Sequence, residues 1–175
     1  MNSKYKITNI ESDGLYRIRA DGLFRIRALR DIPRYGVKAG DLGGWVESEK
    51  NLSQEDDCWV ADTAIVSGDA KVYSNAYVFG RAWVYDGAWV FENAWVSGNA
   101  QVFGDTLVYE DARVYGNARV SGNAQVYGKA WVSGNAWVSG NARVYDEAWV
   151  YGDARVYDDA HLSGNDTVSG DEQVS

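Results

Sequence analysis

Residues 116–127 read Gly-Asn-Ala-Arg-Val-Ser-Gly-Asn-Ala-Gln-Val-Tyr, which is two consecutive copies of a six-residue unit, Gly-Asn/Asp-Ala-x-Val-x. The unit continues without insertion or deletion. From Val60 to Val174 every sixth residue is Val, except for Leu162, and this gives twenty consecutive positions. A small residue, usually Ala, lies two positions before each of the first eighteen. A period this regular predicts a repeat architecture.

The chemistry of the unit predicts its local structure. Ala, x and Val alternate, so Ala and Val face one side of a short strand, and x and the residue after Val face the other. Gly followed by Asn or Asp favours a bend, because these residues tolerate positive φ and make local turns. A helix is disfavoured, since a six-residue spacing puts successive Val about 240° apart on a helical wheel. Each unit is therefore predicted to be one strand and one corner of a parallel coil.

This pattern resembles the hexapeptide-repeat left-handed β-helix, in which an aliphatic residue precedes a small residue by four positions, as Val120 precedes Ala124. The resemblance covers residues 59–175 and implies three units, or about 18 residues, per coil. The predicted fold is all-β: a single-stranded left-handed parallel β-helix with a small N-terminal β cap.

Residues 1–58 lack the repeat, and we predict that they form the cap and a lead-in segment, with the β-helix over 59–175. Residues 15–20 (LYRIRA) and 23–28 (LFRIRA) are near copies separated by Asp21-Gly22, a strong hairpin signal. The segment 37–60, which contains KAGDLGGWV at 38–46, resembles the lead-in of YdcK-like hexapeptide proteins from bacteria and phages. That resemblance implies no established activity.

Aromatic residues dominate the outward positions. Seven of the eight Trp lie just before a Val of the repeat. Taking that position once per coil gives one face with the residues Trp59, Tyr77, Trp95, Arg113, Trp131, Trp149 and Thr167. The other two faces are more mixed and contain Trp83, Trp137 and Trp89. The position after Val gives a second row on one face, with Tyr73, Phe91, Tyr109, Tyr127 and Tyr145.

These rows have two compatible interpretations. Stacked rings, with an Arg over Trp, stabilise a thin rod. A contiguous apolar outer face is also typical of a protein interface or a self-association surface. We therefore predict a non-enzymatic structural or protein-interaction module that binds a protein partner or itself. The candidate residues are Trp59, Tyr77, Trp95, Arg113, Trp131, Trp149, Trp83, Trp137 and Trp89.

Charge suggests an alternative function. Residues 59–175 hold seven basic and fifteen acidic residues, whereas residues 1–58 hold ten of each, so the repeat carries the whole net charge of -8. An acidic rod disfavours direct nucleic-acid binding. Together with the phage-like resemblance, it suggests a DNA mimic that inhibits a host protein. Against this, the acidic residues are scattered over corners beside neutral Asn.

Catalytic chemistry is not indicated. Hexapeptide β-helices are often acyltransferases that use a His at a coil junction, but His161 is the single His, falls on an outward strand position, and no loop interrupts the repeats. One Cys and one His do not make a His/Cys metal cluster, and the corner Asp residues lack the spacing of a calcium loop. We predict no enzyme, no cofactor and no metal.

The remaining features concern location and the end of the rod. Cys58 is the single cysteine, the first thirty residues lack the pattern of a secretory signal, and no apolar run reaches the roughly 18 residues needed to span a bilayer. These features predict a cytoplasmic protein. Asp166 and Glu172 replace the inward small residue near the C-terminus, and charges there are expected to discourage further strand stacking.

Overall fold

A coil with three flat faces organises the protein. The computed structural model describes residues 3–8 and 22–175. The coil makes about seven turns with a period of about 18 residues, and each face is a parallel sheet in which a strand pairs with the strands one turn before and after it. Trp95, for example, pairs with Tyr77 on one side and Arg113 on the other. The predicted three-sided coil of hexapeptides is confirmed.

Each hexapeptide contributes one two-residue strand made of x and Val. The first face consists of β4 (Trp59–Val60), β7 (Tyr77–Val78), β10 (Trp95–Val96), β13 (Arg113–Val114), β16 (Trp131–Val132), β19 (Trp149–Val150) and β22 (Thr167–Val168). The second face contains β5 (Ile65–Val66), β8 (Trp83–Val84), β11 (Gln101–Val102), β14 (Arg119–Val120), β17 (Trp137–Val138), β20 (Arg155–Val156) and β23 (Gln173–Val174). The third face contains β6 (Lys71–Val72), β9 (Trp89–Val90), β12 (Leu107–Val108), β15 (Gln125–Val126), β18 (Arg143–Val144) and β21 (His161–Leu162).

The core is the line of Val and Ala side chains inside the coil. Nearly all of them are fully buried, as the alternation predicts. Thr106 takes one Ala position and satisfies its buried hydroxyl by donating from Oγ1 to the carbonyl of Phe103, at 2.6 Å. Because the core holds only small side chains, adjacent coils depend strongly on backbone hydrogen bonds and on contacts outside the coil.

The corners use the left-handed backbone conformation at their first residue. Twelve of these residues are Gly, but eight are not, among them Asp62, Glu92 and Asp146. The carboxylates of these three accept a hydrogen bond from the backbone N–H of the corner one coil later, at 3.0, 3.0 and 3.1 Å. Acidic corner residues therefore link successive coils.

An antiparallel cap closes the N-terminal end. Strand β1 (Tyr5–Thr8) pairs with β2 (Phe24–Ala28), and β2 pairs with β3 (Leu42–Val46), which then pairs in parallel with β5 of the second face. The parallel arrangement thus reaches into residues 42–46. Two 3-10 helices, Pro33–Tyr35 and Glu49–Asn51, complete this region. The predicted hairpin strand, residues 15–20, lies outside the described residues.

Within the described ranges, neither helix has the length and apolarity required to cross a membrane.

A buried polar cluster joins the cap to the coil. The ammonium of Lys4 donates to the carbonyl of Glu55 at 2.9 Å and to Sγ of Cys58 at 3.0 Å. The hydroxyl of Tyr5 donates to the carbonyl of Leu52 at 2.6 Å. Cys58 is a free, buried thiol. Burial lowers the pKa of Lys4 and raises the pKa of Cys58.

The C-terminal end is finished by the two predicted acidic residues. Asp166 and Glu172 are exposed, and each carboxylate accepts the backbone N–H three residues earlier, from Ser163 and Ser169, at 2.9 Å in both cases. One coil earlier, the backbone N–H of Tyr145, which is equivalent to that of Ser163, donates instead to the carbonyl of Leu162. The side-chain oxygens therefore take the place of carbonyls that a further coil would supply.

Candidate interaction surface

The first face exposes a continuous row of aromatic and cationic side chains. The indole rings of Trp131 and Trp149 are stacked with centroids 5.0 Å apart and an interplanar angle of 4°. The guanidinium carbon of Arg113 lies 5.0 Å from the Trp95 ring centroid and 5.3 Å from that of Trp131. Trp95 is 36% exposed and Trp149 is 46% exposed. Four successive coils thus present one planar or ring-like group each.

Trp59 lies at the predicted outward strand position, in register with Tyr77, but it is covered and is not part of this accessible row. It is only 1% exposed. The backbone of Gly43 passes so close that a Cβ there would lie 2.6 Å from Cζ2 of Trp59. The cap covers this end of the face, and a residue without a side chain permits the close approach.

Tyr77 is also covered in part by the cap. Tyr35 stacks on it with ring centroids 4.1 Å apart and an interplanar angle of 9°. The Tyr35 hydroxyl donates to the carbonyl of Asn75, which fixes the ring in place. The open part of the first face therefore begins at Trp95.

Two columns of side chains flank the central row. On one side, two positions before each residue of the central row, lie Asp111, Lys129 and Glu147. Lys129 Nζ is 3.5 Å from Glu147 Oε1. On the other side, after each Val, lie Tyr115, Ser133 and Tyr151. A groove runs along each side of the Trp131–Trp149 stack, one lined by charged groups and one by aromatic rings. The first face thus combines an apolar centre with a charged edge.

The other predicted Trp lie on different faces and do not join this surface. Trp83 and Trp137 are on the second face, 41% and 39% exposed, and their Nε1 groups donate to serine hydroxyls at 3.2 and 3.1 Å. Trp89 is on the third face, 40% exposed, with Lys71 Nζ 4.9 Å from its ring centroid. They are separate exposed aromatics.

The third face carries the predicted second ladder. Five rings stack in parallel, with neighbouring centroids 4.8–5.0 Å apart: Tyr73, Phe91, Tyr109, Tyr127 and Tyr145. These rings are half-buried against one another. Burial raises the pKa of Tyr73, Tyr109 and Tyr127. Since these rings are less exposed than Trp95 and Trp149 of the first face, this ladder serves mainly the fold.

Sequence reasoning missed the corner ladders of side-chain amides. Nδ2 of Asn99 donates to Oδ1 of Asn117, Asn117 donates in the same way to Asn135, and Asn135 donates to Asp153, at 2.9, 3.0 and 2.8 Å. A second ladder runs from Asn123 through Asn141 to Asp159. Each ends on a carboxylate, which accepts but does not donate. The recurrence of Asn once per coil is the signal that identifies them.

No metal-binding arrangement occurs in the described parts of the chain, where no three His, Cys, Asp or Glu residues are placed to hold an ion. His161 lies on β21 with an exposed side chain, at the outward position that the alternation predicts.

Comparison with known families identifies the repeats. Four overlapping segments match the YdcK beta solenoid repeat, at residues 112–128, 124–140, 136–152 and 148–164. No curated protein matches the chain. The resemblance to YdcK-like proteins is thus confirmed from the repeats themselves, independently of the lead-in segment that first suggested it. Residues 112–164 are thus similar to the YdcK beta solenoid repeat.

Proposed function

We propose that this protein is a non-enzymatic interaction module that binds protein, either another copy of itself or a different chain, through the first face. The observation that carries the proposal is the open row of Trp95, Arg113, Trp131 and Trp149. Trp and Arg are the residues most enriched at the energetic centres of protein interfaces. A rigid row of them needs no ordering of flexible loops on binding, which lowers the entropic cost of association.

We further propose the left-handed coil of the hexapeptide-repeat proteins that the sequence resembles, and a cytoplasmic setting. The coil of three hexapeptides per turn supports the first proposal, and the free, buried thiol of Cys58 supports the second. A crystal structure decides the hand of the coil.

The test is the molar mass in solution by light scattering at low and high salt, for the native chain and two Trp variants. Trp131→Ser combined with Trp149→Ser removes the stacked pair of the first face. Trp137→Ser is the matched control, since its exposure of 39% is close to the 46% of Trp149 but it lies on the second face. We expect an oligomer that persists in salt, dissociates in the double variant and is retained in the control.

The acidic-rod alternative makes the opposite prediction about salt. A DNA mimic would form a complex with a basic partner that weakens steeply as salt rises. The described carboxylates of Asp62, Glu92 and Asp146 accept backbone hydrogen bonds within the rod. That structural role accounts for acidic corner residues without a partner and favours the aromatic face as the binding surface.

A further inference from the structure

We infer that the occupant of the first face is a second copy of this chain, packed face to face with the two rods antiparallel. This inference rests on the proposed interaction function and specifies its partner and geometry. It follows from the order of side chains in the three columns of the face, where successive members are one coil apart, roughly 4.8 Å.

A two-fold axis parallel to the strands makes the two rods antiparallel. It places each column of one copy opposite the same column of the other copy. The axis that passes between the coils of Arg113 and Trp131 places Arg113 of each copy opposite Trp131 of the other, and Trp95 opposite Trp149. Each guanidinium, which already lies between the Trp95 and Trp131 rings of its own chain, then lies opposite a third aromatic ring. Cation–π contacts gain strength when water is excluded from them.

The charged column is self-complementary under the same axis. Asp111 of one copy lies opposite Lys129 of the other, and Lys129 lies opposite Asp111, so the dimer contains two opposite-charge pairs. Complementary charge at the rim of an interface fixes register and suppresses wrong arrangements.

The third column is complementary in size. Large and small residues alternate along it, in the order Phe79, Ser97, Tyr115, Ser133, Tyr151 and Ser169. The axis places Tyr115 opposite Ser133 and Tyr151 opposite Ser97. Every ring of the column therefore meets a gap, which is the arrangement that lets two flat faces approach closely.

Other registers fit less well. An axis through the coil of Trp131 puts Lys129 opposite Lys129 and Asp111 opposite Glu147, and an axis through the coil of Arg113 puts Arg113 opposite itself. Shifting the axis to lie between Trp131 and Trp149 keeps the charges matched, but it places Arg113 opposite Thr167 instead of an aromatic ring. The axis between Arg113 and Trp131 matches all three columns.

The decisive experiment is charge reversal followed by mixing. Asp111→Lys alone places Lys opposite Lys129 twice in the dimer, and Lys129→Asp alone places Asp opposite Asp111 twice. Each variant by itself should dimerise at least roughly tenfold more weakly than the native chain in light scattering or sedimentation. An equimolar mixture should dimerise like the native chain, because both contacts then join opposite charges. Recovery on mixing also shows that each variant is folded.

The size match is tested separately. Ser133→Tyr should block the dimer, since the new ring of each copy would clash with Tyr115 of the other copy. Combining Ser133→Tyr with Tyr115→Ser should restore the dimer, because each new ring then lies opposite a Ser. Ser139→Tyr is the control, because Ser139 follows Val138 in the same position of the second face. It should leave the dimer unchanged.

The outcomes separate this inference from the proposed function. A native chain that stays monomeric at the highest attainable concentration overturns the inference and leaves the first face to a different partner. A second outcome is a dimer that is abolished by Trp131→Ser with Trp149→Ser, but that is unchanged by Asp111→Lys and Lys129→Asp or is not recovered on mixing. This outcome overturns the inferred register and retains the proposed function. A dimer unaffected by the Trp variants overturns both.

Discussion

The indole of Trp149 lies flat on the indole of Trp131, one coil apart, with ring centroids separated by 5.0 Å. This distance is close to the strand spacing of the coil, roughly 4.8 Å, so the rings stack without any distortion of the backbone. The same relationship links the five rings of the third face. A narrow Val and Ala core is thereby supplemented by aromatic contacts on its outside.

Trp149→Leu should lower the free energy of unfolding by about 0.5–1.5 kcal/mol beyond the loss of buried area, the value typical of one aromatic pair. Urea unfolding measures the change. The matched control is Trp137→Leu, a comparably exposed Trp whose neighbours one coil away are Arg119 and Arg155. Equal losses in the two variants would contradict a special contribution from the stack.

Gly98→Ala should be markedly destabilising, while Gly164→Ala should be milder. Both glycines have positive φ, 68° and 55°, and Ala in this conformation costs about 1–2 kcal/mol. A Cβ on Gly98 would also lie 2.9 Å from the backbone N and O of Gly116, whereas nothing lies within 4 Å of that position at Gly164. We expect a total of about 2–4 kcal/mol for Gly98→Ala. Similar melting temperatures for the two variants would show that the backbone at the corners shifts to accommodate the added Cβ with little loss of stability.

Asn117→Asp should weaken one corner ladder. The new carboxylate still accepts from Asn99, but it has no proton to donate to Oδ1 of Asn135. A loss of about 0.5–1.5 kcal/mol is expected from the missing hydrogen bond. Asn165→Asp serves as the control, since its amide group has no ladder contact among the described residues. An unchanged free energy of unfolding for Asn117→Asp would mean that water replaces the lost hydrogen bond without loss of stability.

Cys58 should react with thiol reagents only when the cap opens. The side chain is buried, and burial raises its pKa, so little thiolate is present near neutral pH. The folded thiol stays protonated where the unfolded thiol ionises. The stability from this group is therefore complete below its unfolded pKa of about 8.5 and is lost as the pH rises further.

The rate of colour development with an aromatic disulfide reagent measures this reactivity. Tyr5→Phe should raise the rate, because it removes the hydrogen bond from the Tyr5 hydroxyl to the carbonyl of Leu52. A native rate equal to that in denaturant would show that the cap is open in solution.

The repeat could be predicted from sequence because its signal is periodic. Val120 and Ala124 define the inward positions, and counting residues in steps of one coil is enough to assemble Trp95, Arg113 and Trp131 into one row. The position of the cap was not predictable in the same way. The burial of Trp59 depends on Gly43, and the cover over Tyr77 depends on Tyr35, both in a segment without internal repetition whose docking is set by tertiary contacts.

The acidic corners show a second limit. Their positions were predicted as turns, but the composition alone assigns them only charge. The hydrogen bond from the Gly80 N–H to Asp62 appears only once coils are stacked. The local residue type thus predicts the bend, and the neighbour one coil later decides what the side chain does.

The carboxylates of Asp166 and Glu172 have a consequence for the engineering of longer rods. Because they accept hydrogen bonds from the backbone N–H groups of Ser163 and Ser169, these N–H groups are not free to pair with a further coil. Replacing both with Ala and appending further hexapeptides would produce a longer rod of the same cross-section, growing by roughly 4.8 Å with each added coil.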